Sequence, residues 1–185
     1  HGNTYATACF GGNLARKNDL SAYAFDEGHI HAPTCYHCPF GKKPGECNFE
    51  CANELEDALI NKGPNNYAAF LMEPIGGTTT AAMTPPVGYV QRIREICDKY
   101  NILIIADEVL AGFGRAGKPL SMDWYGIKPD ICAIAKCMSG GYFPVGAAAV
   151  SQKVSDVFKR VGHYYAGFTW AGKASIVVTN SFEDV

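Results

Sequence analysis

The chain has 185 residues, 48% of them hydrophobic, and a formal net charge of −2 at neutral pH. That is enough apolar side chain for one sizeable core. The near-neutral balance argues against nucleic acid or an anionic membrane surface as partner. No apolar run reaches the ~20 residues that a membrane-crossing helix needs. The N-terminal text has no basic-then-apolar signal pattern. The sequence starts at His1 rather than Met, so residues 1–185 are expected to be a large domain incomplete at both ends.

Residues 1–50 are rich in Gly, Pro, Asn and Cys and are expected to be irregular. Residues 51–62 carry Leu55, Ala58 and Leu59 at helical spacing and end at Gly63-Pro64, which predicts a helix. Residues 67–72 form a short apolar run that suits a buried strand, closed by Glu73-Pro74. Gly76-Gly77 and the threonines after it read as a loop. Pro85-Pro86 opens a second expected helix over residues 87–100, with Val90, Ile93 and Cys97 on one face.

Three further strands are expected, at residues 102–106, 131–135 and 145–150, each almost wholly apolar. Residues 151–160 and the tail from Ala171 read as helices. Strands that alternate with helices and are apolar on both sides indicate an α/β fold with a mostly parallel sheet flanked by helices. Ligands of such sheets sit in the crevice at the carboxyl ends of the strands. Asp107 and Lys136 each follow an apolar strand, so the topology alone puts both charges on one rim.

A charge at the end of a buried strand is costly unless it is paired or used. One reading of Asp107 and Lys136 is a structural ion pair or two rim charges. The other is chemical: a lysine that attaches a carbonyl cofactor covalently, and a carboxylate that keeps a pyridine nitrogen protonated. On residue types and spacing alone both readings stay open.

The run from Ile104 through Asp107-Glu108-Val109 to Gly112-Phe113-Gly114-Arg115-Ala116-Gly117 resembles the core signature of class III aminotransferases, the ornithine, 4-aminobutyrate and omega-amino-acid group. The same register continues through Pro129-Asp130-Ile131 and Lys136-Cys137-Met138-Ser139-Gly140-Gly141-Tyr142. Glu73-Pro74-Ile75 and His1-Gly2-Asn3-Thr4 fit as well, so the resemblance covers nearly the whole chain. It implies the large domain of a fold-type I enzyme that uses pyridoxal 5′-phosphate. The implied reaction moves an amino group from an amine or omega-amino acid to a 2-oxo acid such as pyruvate or 2-oxoglutarate.

The resemblance also implies roles. Lys136 would be the catalytic residue and would hold the cofactor as a Schiff base. Asp107 would pair with the pyridine nitrogen, Val109 would pack on the ring, and Glu73 would hold the local polar network. Thr169 would bind the phosphate of a neighbouring subunit, making the active unit a homodimer or a dimer of dimers. Arg115 is read as a structural salt-bridge partner in preference to a site-side cation. Leu110 stands where many members carry a Gln, and a leucine donates no hydrogen bond. The family's Gly-Ser phosphate loop would lie before His1.

Eight cysteines are many for this length. Cys97, Cys132 and Cys137 lie in or beside apolar segments and are expected to behave as small hydrophobes in a reducing, cytoplasmic setting. Cys35-x-x-Cys38 with Cys47 and Cys51 resembles zinc spacing, but the spacing is uneven and no metal site is assigned. His29, His31 and His37 read as loop histidines, and His163, before Tyr164-Tyr165, reads either as part of a loop on the active-site side or as solvent-exposed. Two alternatives remain: another cofactor enzyme on the same scaffold (an aminomutase, racemase or decarboxylase), or a zinc-stabilised relative without catalysis.

Overall fold

A computed structural model describes residues 4–18, 23, 25 and 28–162. The helix expected from Ala171 lies outside them. The described elements are α1 (Tyr5–Phe10), α2 (Leu14–Lys17), α3 (Glu50–Lys62), β1 (Ala69–Met72), α4 (Tyr89–Tyr100), β2 (Leu103–Asp107), β3 (Ile131–Ala135), β4 (Gly146–Val150) and α5 (Gln152–Val161). The strands form one sheet in the order β1-β2-β3-β4. β1 pairs with β2 and β2 with β3 in parallel, while β4 runs antiparallel to β3.

The unit β1-α4-β2 is a crossover, and α4 is well built for it. Tyr89, Val90, Ile93, Ile96 and Cys97 are its buried residues. They pack with Leu55 and Leu59 of α3 and with Met72, Ile104 and Ala106 of the sheet. Each fully buried Leu or Ile contributes about 1.5–3 kcal/mol. The helix stops at Asn101, which takes a left-handed conformation (φ 55°) and turns the chain into β2. Its start falls two residues later than the Pro-Pro signal suggests. Gly88 sits at φ 96°, a side chain there would meet the Phe49 ring at 2.6 Å, and Val87 is left 95% exposed.

Two expectations need correction. Residues 1–50 are not wholly irregular, because α1 and α2 are short helical turns. The Thr4 backbone N–H donates to Thr7 Oγ1 at 3.1 Å, a local cap that apolar periodicity does not detect. The central strands are also not buried on both faces. β2 and β3 alternate between buried and half-buried residues, and Leu71 of β1 is 45% exposed. Among the described residues α3 and α4 pack on one face, which takes Met72, Ile104 and Ala106.

Burial pushes the thiols of Cys97 and Cys132 up to about 12. At neutral pH both are protonated, unreactive small hydrophobes, as expected. Cys137 differs, being half-buried.

Polar contacts fix the two helices to each other. Glu56 of α3 accepts from Arg92 Nη2 at 2.9 Å, from Lys99 Nζ at 2.5 Å and from the Tyr100 hydroxyl at 3.1 Å. The hydrogen bond from Lys99 leads in holding the Glu56 carboxyl below its ordinary value of 4.5. A lowered carboxyl stabilises the fold above its ordinary value and loses that contribution as pH falls through the folded value. Glu56→Gln should therefore cost about 1 kcal/mol at neutral pH and almost nothing in acid well below the carboxyl's titration. Urea unfolding of both proteins at the two pH values checks this, and an equal penalty at both would contradict it.

Candidate active site

The parallel register brings three strand ends to one rim. Asp107 closes β2 and pairs across to Ala133 of β3, and Lys136 follows Ala135 at the end of β3. Glu73 follows β1 on the same side. Asp107 is half-buried, and Lys136 and Glu73 are exposed. Asp107 Oδ1 accepts the Val109 backbone N–H at 3.0 Å, which fixes the turn out of β2. Val109 and Leu110 are half-buried just past it.

Glu73 spends one oxygen on its own loop, accepting the Gly77 N–H at 3.0 Å. A side chain at Gly77 would meet Glu73 Oε1 at 2.6 Å and Leu110 at 3.6 Å. The loops after β1 and β2 thus pass close together, and Gly77 permits it. The Tyr125 hydroxyl ties them further by donating to the Pro74 carbonyl at 2.9 Å.

Lys136 stands in a left-handed conformation (φ 48°) at the start of a 3-10 turn, Lys136–Ser139. That geometry costs a non-glycine residue about 1–2 kcal/mol and persists only where the surroundings enforce it. Gly140 N–H closes the turn on the Cys137 carbonyl at 3.0 Å. Among the described residues the Lys136 amine has no recorded hydrogen-bond or ion-pair partner. An amine in that state suits a nucleophile better than half of a structural ion pair.

The residue that organises the rim is one the sequence reading passed over. Glu108 is 1% exposed. It accepts from Ser121 N at 2.9 Å, Ser121 Oγ at 2.7 Å and Met122 N at 2.8 Å. Its own N–H donates to Ala133 O at 2.9 Å, extending the β2–β3 ladder past Asp107. The long connection to residue 121 is thereby folded back under the sheet. Gly112 must be glycine here, since a side chain would meet Glu108 O at 2.8 Å. A signal was present in the sequence: Ile104, Ala106 and Glu108 alternate, and the first two face the core.

Other candidates fall elsewhere. Arg115 is not a salt-bridge partner among the described residues; its Nη2 donates to Cys137 Sγ at 3.2 Å. His31 is held by Glu54, with Nδ1 at 2.8 Å, and His29 Nε2 lies 3.1 Å from Phe10 O. Cys35, Cys38, Cys47 and Cys51 line one small pocket, and among the described residues no group of three or more His, Cys, Asp or Glu is arranged to hold a metal. No described helix is long and apolar enough to cross a membrane. Thr169, His163 and the segment His1-Gly2-Asn3 lie outside the described residues.

A mostly parallel α/β sheet with a carboxylate and an amine at its carboxyl rim has its ligand crevice at that rim. Residues 1–182 match the family Aminotransferase class-III, and the chain belongs to it. It is 41% identical over 181 residues to gamma aminobutyrate transaminase 2 of Solanum lycopersicum, covering 93% of this chain and 38% of that protein. It is 38% identical over 172 residues to putrescine–pyruvate aminotransferase of Pseudomonas aeruginosa, with the same coverages. Among solved structures, a transaminase from directed evolution by ancestral reconstruction superposes with TM-score 0.84 at 34% identity, over 92% of this chain and 38% of that one. The omega transaminase of Pseudomonas jessenii in complex with PMP gives TM-score 0.80 at 31% identity, over 90% and 38%. The chain thus spans about 38% of the length of the relatives it matches, and its fold is that of the fold-type I transaminases.

Glu108→Gln keeps the shape but replaces one acceptor oxygen by a donor that must face another donor. It should cost about 2–3 kcal/mol, read by urea unfolding. A loss below ~0.5 kcal/mol, the usual size of a surface change, would contradict the anchoring role.

Proposed function

We propose that the protein is a pyridoxal 5′-phosphate-dependent aminotransferase that moves an amino group from an amine or omega-amino acid to a 2-oxo acid such as pyruvate or 2-oxoglutarate. The observation that carries the reading is that Asp107 and Lys136 stand at the carboxyl ends of adjacent parallel strands, in a chain of class III aminotransferase sequence. The names of the relatives, a gamma aminobutyrate transaminase and a putrescine–pyruvate aminotransferase, support the substrate classes.

The residues present fit the cofactor. Lys136 offers an exposed amine without a competing partner among the described residues, and Asp107 offers a carboxylate fixed by one backbone N–H and half shielded from water. When bound, the cofactor supplies an electron sink that lets the C–H bond beside the substrate nitrogen ionise.

The chain's own residues do the rest. Lys136 Nζ would hold the cofactor and, once free, would carry the proton from the substrate carbon to the cofactor carbon, which requires an amine close to both. Asp107 would accept the N–H of the pyridine ring and keep that nitrogen positive. Val109 offers an apolar wall beside it, and Glu73 holds the polar network of the neighbouring loop. Thr169 would bind the phosphate belonging to a neighbouring subunit, which makes the working unit a homodimer or a dimer of dimers. The setting is cytoplasmic, in keeping with the many reduced cysteines.

The test is amino transfer by the full-length protein from 4-aminobutyrate or putrescine to pyruvate or 2-oxoglutarate. Product amino acid should form, and Lys136→Ala should make none. Asp107→Asn should keep the cofactor bound while turnover falls on the order of a hundredfold or more. Near-normal turnover of that variant would overturn the role given to Asp107.

A further inference from the structure

Lys136 is strained, and its own turn does not account for where that turn points. The bonds within residues 136–141 are local: Ser139 Oγ to Lys136 O at 3.4 Å, Gly140 N to Cys137 O at 3.0 Å, and Gly141 N to Ser139 Oγ at 3.3 Å. They set the shape of the turn but leave its orientation on the sheet to outside contacts. Among the described residues one polar contact reaches it from another loop, the bond from Arg115 Nη2 to Cys137 Sγ at 3.2 Å, which spans 22 residues of chain.

Arg115 lies on the loop that leaves β2, the strand carrying Asp107. That loop is tied across by backbone hydrogen bonds at this point. Phe113 N donates to Pro119 O at 2.7 Å, Gly114 N to Lys118 O at 3.2 Å, and Ala116 N to Ala111 O at 3.1 Å. Phe113 of the same loop and Met138 of the lysine turn both pack against the buried cluster of Leu120, Cys132, Ile134 and Ala149. The two loops thus rest on one apolar cluster and are joined by a guanidinium–thiol bond.

We infer that Arg115 is a positioning residue that acts through Cys137 to hold the Lys136 turn in register with the Asp107 loop. Cys137 is the group through which the guanidinium grips the turn, and Lys136 is its immediate neighbour in sequence. The pair sets the distance between the two groups that do the chemistry without touching the reacting atoms. This rests on the function proposed above.

The experiment uses the full-length protein loaded with pyridoxal 5′-phosphate. Arg115→Ala, Cys137→Ala, the double variant and Cys137→Ser are compared with the wild type. Three readouts are taken: kcat against KM, the pH midpoint of the absorption of the Lys136-bound cofactor, and the rate of its capture by borohydride. Each alanine variant should lose roughly ten- to a hundredfold in kcat, in line with a slight misplacement of a catalytic group, and shift the absorption midpoint in the same direction. The double variant should be no worse than either single one, because both changes break one bond. Cys137→Ser keeps an acceptor and should stay close to wild type in all three. Additive losses, or an unmoved midpoint and capture rate in both alanine variants, overturn the inference. A wild-type protein that carries no cofactor on Lys136 defeats the proposed function instead, and the control shows it directly. Should Arg115→Ala fail to fold, the contrast between Cys137→Ala and Cys137→Ser decides alone.

Discussion

The parallel pairing of β2 with β3 is the constraint on which the rest of the structure depends. It is locked at both ends by carboxylates. At the start, Asp130 Oδ2 accepts from Arg94 Nη1 at 2.8 Å and from Ile104 N at 2.8 Å, joining α4, β2 and the entry to β3. At the finish, Glu108 N reaches Ala133 O while its buried side chain gathers Ser121 and Met122. Between these locks the register is fixed, and a one-residue slip would carry Asp107 to the wrong face.

Strain and support are divided along this frame. The left-handed backbone at Lys136 costs energy locally, and the apolar packing of α3, α4 and one sheet face supplies the stability that tolerates it. The two acidic neighbours, Asp107 and Glu108, do different work because a strand alternates its side chains. Glu108 faces the core and is consumed by three donors. Asp107 sits on the half-buried face, where Oδ1 accepts the Val109 N–H and Oδ2 has no hydrogen-bond partner among the described residues. The loop from β2 is then held to the loop from β1 by Tyr125 and to the lysine turn by Arg115.

Much of this frame was legible in the residues. The helix ending at Lys62, the strand at residues 131–135 and the apolar face of α4 followed from period and stop signals, because each buries a repeating stripe. The shared rim of Asp107 and Lys136 followed from topology. What was not legible depends on contacts far apart in sequence. Glu108 looked like an ordinary charge until Ser121 and Met122 were folded onto it, and the partner of Arg115 proved to be a sulfur rather than a carboxylate. The caps of α1 lie in a four-residue window too short for periodicity to register. The half-covered second face of the sheet could not be read from strands whose residues are apolar on both sides.

The central claim is that Lys136 carries the cofactor, and one measurement tests it most directly. The full-length protein is incubated with pyridoxal 5′-phosphate, reduced with borohydride, digested and mapped by mass. The account predicts a single phosphopyridoxyl group on the peptide containing Lys136. A folded protein that carries no label there, or carries it on another lysine, would contradict it.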